Sequence, residues 1–212
     1  MDFQVFLTSI LKIEREPLLA DLAHQIMVPP ERIELLKKVN IQENNPKKAA
    51  VLILLYPKNN RTHLVLIERN SYLGVHSSQI AFPGGKVEVN DPSVAFTALR
   101  ETQEEIGVEM NKVSIIKAFT EVYIPPSNFM VFPFLGYVNE ELQFNPEPRE
   151  VASVIELSIE NFLDERLVVT KEMNTSYSNS IRVPAFKIKE YYVWGATAMI
   201  LSEVKEVLKK II

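Results

Sequence analysis

The chain has 212 residues, 47% of them hydrophobic and 24% charged, with 27 acidic against 23 basic residues for a formal net charge of −4. Such a length suits one ordinary domain with a small extension, and the composition excludes a largely disordered or low-complexity chain. The acidic balance excludes a dedicated nucleic-acid binder, which needs concentrated positive charge to displace phosphate counterions.

The first element is helical. Phe3, Phe6, Leu7, Ile10 and Leu11 follow a 3.6-residue stripe, Asp2 is placed to cap it, and Pro17 ends it. A second helix is predicted over Leu18–Ile26 and a third, after Pro29-Pro30, over Glu31–Lys38. Gln42-Glu43-Asn44-Asn45-Pro46 reads as a linker. Residues 1–44 are therefore expected to be a helical extension, too short to bury a core alone, on a domain spanning 45–212. Strands follow: Ala50–Tyr56 and Thr62–Glu68 as a hairpin across Pro57-Lys58-Asn59-Asn60, then Ser78–Phe82. Pro92–Gly107 has helical period. Val113–Val122 and Met130–Val138 are predicted strands, with Pro133 marking an edge or a bulge. Val151–Leu157 and Ile181–Ile188 complete the β-rich part, and Ala196–Lys210 is an amphipathic helix with Ile200, Leu201, Val204, Val207, Leu208 and Ile211 inward. The pattern implies an α/β fold, a mixed sheet with helices on its faces.

With no cysteine there is no disulfide, thiolate metal site or cysteine nucleophile. The longest apolar run, Ala49–Tyr56, is too short to cross a bilayer, and Met1-Asp2-Phe3-Gln4 lacks a basic leader. The expectation is a cytoplasmic protein without a membrane partner.

Chemistry concentrates in Gly84-Gly85-Lys86-Val87-Glu88-Val89-Asn90-Asp91-Pro92-Ser93 and its continuation Arg100-Glu101-Thr102-Gln103-Glu104-Glu105-Ile106-Gly107-Val108. At 100° per residue, Glu101, Glu104 and Glu105 share an arc of about 100° on one helix face. Ala95, Ala98, Leu99, Thr102 and Ile106 occupy another. Three neighbouring carboxylates repel one another, and a divalent cation reverses the sign; oxygen-only ligands suit Mg²⁺ or Mn²⁺. Asp91 is read as the helix N-cap with Pro92 at the first helical position, and Glu88 as a further acidic residue of the loop.

This string resembles the Nudix box, Gly-x5-Glu-x7-Arg-Glu-U-x-Glu-Glu-x-Gly-U, with U a bulky apolar residue. Thr102 replaces the first U. Counted from Gly85, the acidic position is Asp91, and eight residues instead of seven separate it from Arg100. The resemblance implies an α/β/α sandwich that hydrolyses a nucleoside diphosphate linked to another group. It makes Glu101, Glu104 and Glu105 the metal ligands, one of them also the base for the attacking water, with Arg100 holding the carboxylates. Gly84 and Gly85 would let phosphate approach, flanked by Lys86 and Arg69. Glu150 is either a further metal carboxylate or a surface residue. Arg69, Phe82-Pro83-Gly84-Gly85, Tyr123-Ile124-Pro125-Pro126 and Tyr192-Val193-Trp194-Gly195-Ala196-Thr197 are similar to the coenzyme A pyrophosphatase branch. Asn70, Gly74 and Ser78 depart from that signature, Gly74 standing where it has an arginine that could clamp a 3′-phosphate. Lys86, Arg69 or Arg61 are the candidate substitutes.

The expected reaction is hydrolysis of coenzyme A or acyl-CoA to 3′,5′-ADP and 4′-phosphopantetheine. The alternatives are ADP-ribose, a nucleotide sugar, a dinucleotide or a nucleoside triphosphate as substrate, or a non-catalytic nucleotide-binding module. Tyr191, Tyr192 and Trp194 are open to packing or adenine stacking, and His24, His63 and His76 share no metal-ligand spacing. The N-terminal arm is open to covering the site or to serving a homodimer contact.

Overall fold

A computed structural model describes residues 1–29, 44–70, 79–175 and 178–211. Helix α1 (Phe3–Arg15) is capped by Asp2, whose carboxylate accepts the amides of Gln4 and Val5. The cap satisfies donors that a first turn leaves open, contributing about 1 kcal/mol. Phe3, Phe6 and Ile13 are buried on its inner face, and each such side chain contributes about 2–3 kcal/mol. The second helix is shorter than its sequence suggests. Helix α2 covers Asp21–His24 and passes into a single 3-10 turn, Gln25–Met27. Ala20 explains the difference: it takes φ 48° and gives its amide to Glu203 at 2.7 Å, so the backbone from Leu18 does not run on as helix. The helix expected over Glu31–Lys38 lies outside the described residues.

Strands β1 (Lys47–Lys58) and β2 (Arg61–Arg69) form the expected hairpin, closed by Asn59 and Asn60 at φ 50° and 60°. Two residues at positive φ are what a type I′ turn requires, and asparagine tolerates that region. The two strands then part. Along one edge β2 pairs with β8 (Val151–Ser158); on the other, Ile67 and Glu68 pair with β3 (Ile80–Ala81). One edge of β1 pairs in parallel with β7 (Phe129–Tyr137), and Ala49–Val51 on the other pairs with β4 (Gly84–Lys86). A strand has only two edges, so β3 and β4 must fill the gap between β1 and β2. The amide of Leu52, donating to the Pro83 carbonyl at 2.9 Å, closes the joint. Residues 80–86 are thus wedged in a fork of the sheet.

The single strand expected over Val113–Val122 is two, β5 (Ser114–Ala118) and β6 (Val122–Ile124), both antiparallel to β7. Pro133 is not on an edge strand. It lies in β7 where the partner changes from β5 to β6, and its carbonyl accepts the Phe119 amide at 2.8 Å. The N–H that proline lacks would face the same break, so no ladder bond is lost. Besides β4, two strands went unread in the sequence, β9 (Val168–Thr175) and β11 (Tyr191–Val193). With β10 (Ser178–Ile188) they form a separate antiparallel sheet in the order β11-β10-β9.

Three further helices are α3 (Val94–Ile106), α4 (Ile159–Leu163) and α5 (Gly195–Ile211). Strand β1 is buried on both faces. Ile53 and Leu55 join a cluster with Phe3 and Phe6 of α1 and Leu201, Val204 and Leu208 of α5. Ala50, Leu52 and Leu54 join a second cluster with Ala98 and Ile106 of α3. Helices therefore cover both faces of a mixed sheet, the α/β/α sandwich implied by the sequence. Among the described residues, no helix is long and apolar enough to cross a membrane.

Candidate active site

Helix α3 begins two residues later than the sequence reading of Asp91 as its cap implies. Ser93, not Asp91, is the N-cap, its hydroxyl accepting the Phe96 amide at 3.1 Å. Asp91 is occupied otherwise. Its carboxylate takes Arg100 Nε and Nη2, each at 3.0 Å, together with the Thr97 hydroxyl at 2.7 Å and the Glu88 amide at 2.9 Å. Arg100 hydrogen bonding, with smaller help from Glu88 and Thr97, overcomes burial and holds this carboxyl well below the usual range. The fork and this clamp fix the loop 87–92 to the helix before any ligand is considered.

The three box glutamates occupy different environments. Glu105 is buried, at 1% exposure. Its Oε1 accepts from Arg69 Nη1 at 2.9 Å and its Oε2 from the Gly84 amide at 2.7 Å. Burial pushes its pKa up to about 7 against the opposing pull of Arg69. Glu101 is partly buried, and burial raises its pKa too. Its carboxylate lies against Gly85 so closely that a Cβ there would be 2.4 Å from Cδ and Oε2. Glu104 stands out in solvent, its side chain 57% exposed. Arg100 Nη1 is 2.9 Å from both Glu101 Oε1 and Glu104 Oε2, so one guanidinium spans Asp91, Glu101 and Glu104.

Glu150 is exposed in the turn before β8, and its carbonyl accepts the Asn70 amide at 2.7 Å. Its negative charge contributes to the raised pKa values of both Glu101 and Glu105. Lys86 is exposed and lends its carbonyl to Arg100 Nη2 at 3.2 Å. Arg69 is tied to Glu105, and Arg61 is tied to Glu160 at the hairpin end of the sheet. His24 is buried beside Glu203 at 3.6 Å, and His63 Nδ1 lies 3.0 Å from the Arg61 carbonyl. Neither meets the box carboxylates in any described contact. Gly74, His76 and Ser78 lie outside the described residues. Tyr192 has the Lys171 ammonium 4.5 Å above its ring, and Trp194 lines a small cavity together with Met27, Val183 and Met199.

Among the described residues, no three carboxylates or imidazoles are drawn together as a closed metal-ligand group. Guanidinium groups stand between them. The charge inventory nevertheless suits a divalent cation. Among the described residues, the ion pairs of Asp91, Glu101, Glu104 and Glu105 are with Arg69 and Arg100, Glu150 adds a fifth negative charge, and every donor is a hard oxygen. Sequence reasoning did not find the Asp91–Arg100 clamp or the Arg69–Glu105 pair. The signal for the first was present, since residues 91 and 100 bracket the first two turns of the helix. The second joins residues 36 apart through the fork, which no local pattern reveals.

Residues 46–175 match the model of the NUDIX domain. The chain is 35% identical over 163 residues to "Nudix hydrolase 22, chloroplastic" of Arabidopsis thaliana, covering 74% of this chain and 53% of that protein. It is 33% identical over 162 residues to "Nudix hydrolase 15, mitochondrial" of the same plant, 74% of this chain and 56% of that protein. The chain thus spans about half the length of these two curated relatives. The Nudix hydrolase NudL of Citrobacter koseri is 35% identical over 178 residues, covering 81% of this chain and 88% of its own. Among solved structures, the Nudix hydrolase RenU from M. smegmatis superposes with a TM-score of 0.55 at 16% identity, covering 79% of this chain and 88% of that chain. A MutT/nudix family protein from Enterococcus faecalis gives 0.52 at 16% identity, covering 88% and 72%. At that identity the likeness is one of fold.

Proposed function

Because this chain belongs to the Nudix hydrolase family, we propose that it hydrolyses the diphosphate linkage of a small nucleoside diphosphate derivative with Mg²⁺ or Mn²⁺. The observation that carries the reading is the seating of Glu101 against Gly85 beside Glu104 and Glu105, at the mouth of the fork. Glu101, Glu104 and Glu105, with Glu150, would hold the cation, which when bound supplies charge neutralisation for the diphosphate and a more acidic water. Arg100 orients Glu101 and Glu104, and Asp91 orients Arg100. Arg69 and the Gly84 amide orient Glu105 and lock it to the loop. Glu104 Oε1, which Arg100 leaves free, is the proposed acceptor of a proton from the attacking water. Lys86 is the proposed phosphate contact. One P–O bond forms to the water oxygen as the bridging P–O bond breaks, leaving two phosphate monoesters. The match over residues 46–175 supports a catalytic domain that starts near residue 45, and we take it to run to 212 with 1–44 as its extension.

The finer reading, coenzyme A or acyl-CoA as substrate, is supported only by the sequence resemblance of Arg69, Phe82-Pro83-Gly84-Gly85, Tyr123-Ile124-Pro125-Pro126 and Tyr192-Val193-Trp194-Gly195-Ala196-Thr197. Of the cations that could take a 3′-phosphate, Arg69 is committed to Glu105 and Arg61 to Glu160, leaving Lys86. The broader class, which includes ADP-ribose and nucleotide sugars, is therefore the better supported. The purified chain with Mg²⁺ or Mn²⁺ is incubated with coenzyme A, ADP-ribose, UDP-glucose and ATP, and products are identified by mass spectrometry. Metal-dependent cleavage within a diphosphate is expected; no turnover of any of them would refute the proposal.

A further inference from the structure

The end of β2 presents two charged residues to opposite faces of the sheet. Arg69 reaches Glu105 on the α3 face, so Glu68, its neighbour, lies on the face that carries Leu64 and Leu66. There Glu68 Oε2 accepts from the Ser153 hydroxyl at 2.8 Å, across the register pair Glu68↔Ser153. Ser153 Oγ in turn lies 3.4 Å from the Tyr191 hydroxyl of β11. Neither the apolar core nor an ion pair accounts for this group: Glu68 is partly buried and has no cationic partner among the described residues. Among the described residues, its Oε1 has no donor. On its other side Glu68 pairs with Ile80, and the chain runs on from Ile80 through Pro83 directly into Gly84-Gly85. Four residues of extended chain reach at most about 13 Å, the scale on which a nucleoside diphosphate places its sugar from its phosphates.

We infer that Glu68, seated by Ser153 and Tyr191, is a specificity determinant that reads the vicinal diol of a ribose attached to the diphosphate. A carboxylate with one oxygen that no described residue claims, held by a serine hydroxyl that donates to the other oxygen, matches a pair of adjacent hydroxyls as their acceptor. It also repels a phosphate monoester at the same place, which selects an unmodified ribose over a 3′-phosphorylated one. The inference rests on the diphosphatase reading for its location, and its test uses binding so that the two can fail separately.

Isothermal titration of the full chain with AMP, 2′,3′-dideoxy-AMP, adenosine 3′,5′-bisphosphate and IMP reads the site without turnover. The wild-type chain is expected to bind AMP about tenfold or more tightly than the dideoxy compound, one charge-assisted hydrogen bond being sufficient. It is expected to prefer AMP over the bisphosphate by a similar factor. Glu68→Gln should bring both ratios close to one while leaving dideoxy-AMP affinity unchanged, and Ser153→Ala should reduce them partway, with melting temperatures of both variants checked against wild type. Ratios that survive Glu68→Gln, or equal binding of AMP and dideoxy-AMP by the wild type, overturn the assignment. IMP, which keeps both hydroxyls and lacks the base amine, should bind like AMP; a loss there that Glu68→Gln abolishes would mean an amine reader and also overturn it. Absence of hydrolysis by the wild-type chain would remove the diphosphatase reading and leave these ratios to decide on Glu68.

Discussion

Gly85→Ala separates the site from the scaffold on one atom. Gly85 does not adopt a positive φ, so alanine fits its backbone, and the unfolded chain loses freedom, which favours folding by about 0.5 kcal/mol. The new Cβ would sit 2.4 Å from Glu101 Cδ and Oε2 and 2.6 Å from Oε1. Restoring an ordinary contact moves the carboxylate by about 1 Å. That atom group ends a flexible side chain and can move away at little cost to the fold. A reacting or ligating group displaced by that much costs about 10²-fold in rate. The expected variant therefore melts within a few degrees of wild type and turns over about 100-fold more slowly with saturating Mg²⁺. Gly84→Ala is the contrast. Its Cβ would meet the Ala50 carbonyl at 2.3 Å and Val51 Cα at 2.6 Å, from a φ of 153°, and backbone in the middle of a sheet does not yield. That substitution should cost about 3 kcal/mol or more. Hydrolysis by Gly85→Ala within threefold of wild type, with the fold intact, would refute the requirement for Glu101 where it stands.

Other substitutions test the remaining parts of the site. Glu104→Gln alters an exposed side chain, so the melting temperature should hold while turnover falls by orders of magnitude; unchanged hydrolysis would remove Glu104 from the mechanism. Asp91→Asn weakens the clamp on Arg100, and a loss of about 2–3 kcal/mol in urea unfolding should accompany a tenfold or greater fall in rate; a stability equal to wild type would show the clamp to be incidental. Mg²⁺ should raise the melting temperature of the wild-type chain and do so less in Glu104→Gln, since a ligand that binds only the folded state stabilises it; identical shifts would place the ion elsewhere. For Glu203, burial pulls the pKa up, but the neighbouring His24 imidazole, 3.6 Å away, and hydrogen bonds from Thr120 and the Ala20 amide outweigh it and the net shift is downward. A carboxylate lowered on folding stabilises above its unfolded pKa, and that stability is lost as pH falls below about 4.5. The difference in unfolding free energy between wild type and Glu203→Gln should therefore shrink on going from pH 6 to pH 3, and a constant difference would refute the ionised state.

Elements whose information is local were legible. The stripe and cap of α1, the Asn59-Asn60 hairpin and the inward residues of α5 each follow from neighbours within a few positions. The failures share a cause in distance. Leu18–Ile26 has helical spacing, yet Ala20 is drawn out of it by Glu203, 183 residues later. Thr120 divides one expected strand into two because its amide and hydroxyl bond the same carboxylate, at 3.0 and 2.7 Å. Glu203 itself left a trace, a carboxylate at 203 amid the inward positions 200, 204 and 207 of α5. A charge on a buried stripe asks for partners, and here they set the paths of two other segments.

The same reasoning explains why the three box glutamates were readable as a group and not as individuals. Helical spacing places Glu101, Glu104 and Glu105 on one face, but their environments come from what the fork carries beneath that face. Gly84 offers an amide and Gly85 offers empty space, because β3 and β4 fill the gap between β1 and β2. One glutamate is therefore bonded down, one is packed against the loop, and one is left in solvent. A change that closed the fork by a single register step would exchange the faces of residues 84 and 85. It would present a side with no amide to Glu105 and leave Arg69 facing a carboxylate that the loop no longer holds. The order of the sheet is thus a condition on the chemistry of the helix, and pairings far from the box decide which carboxylate is available to water.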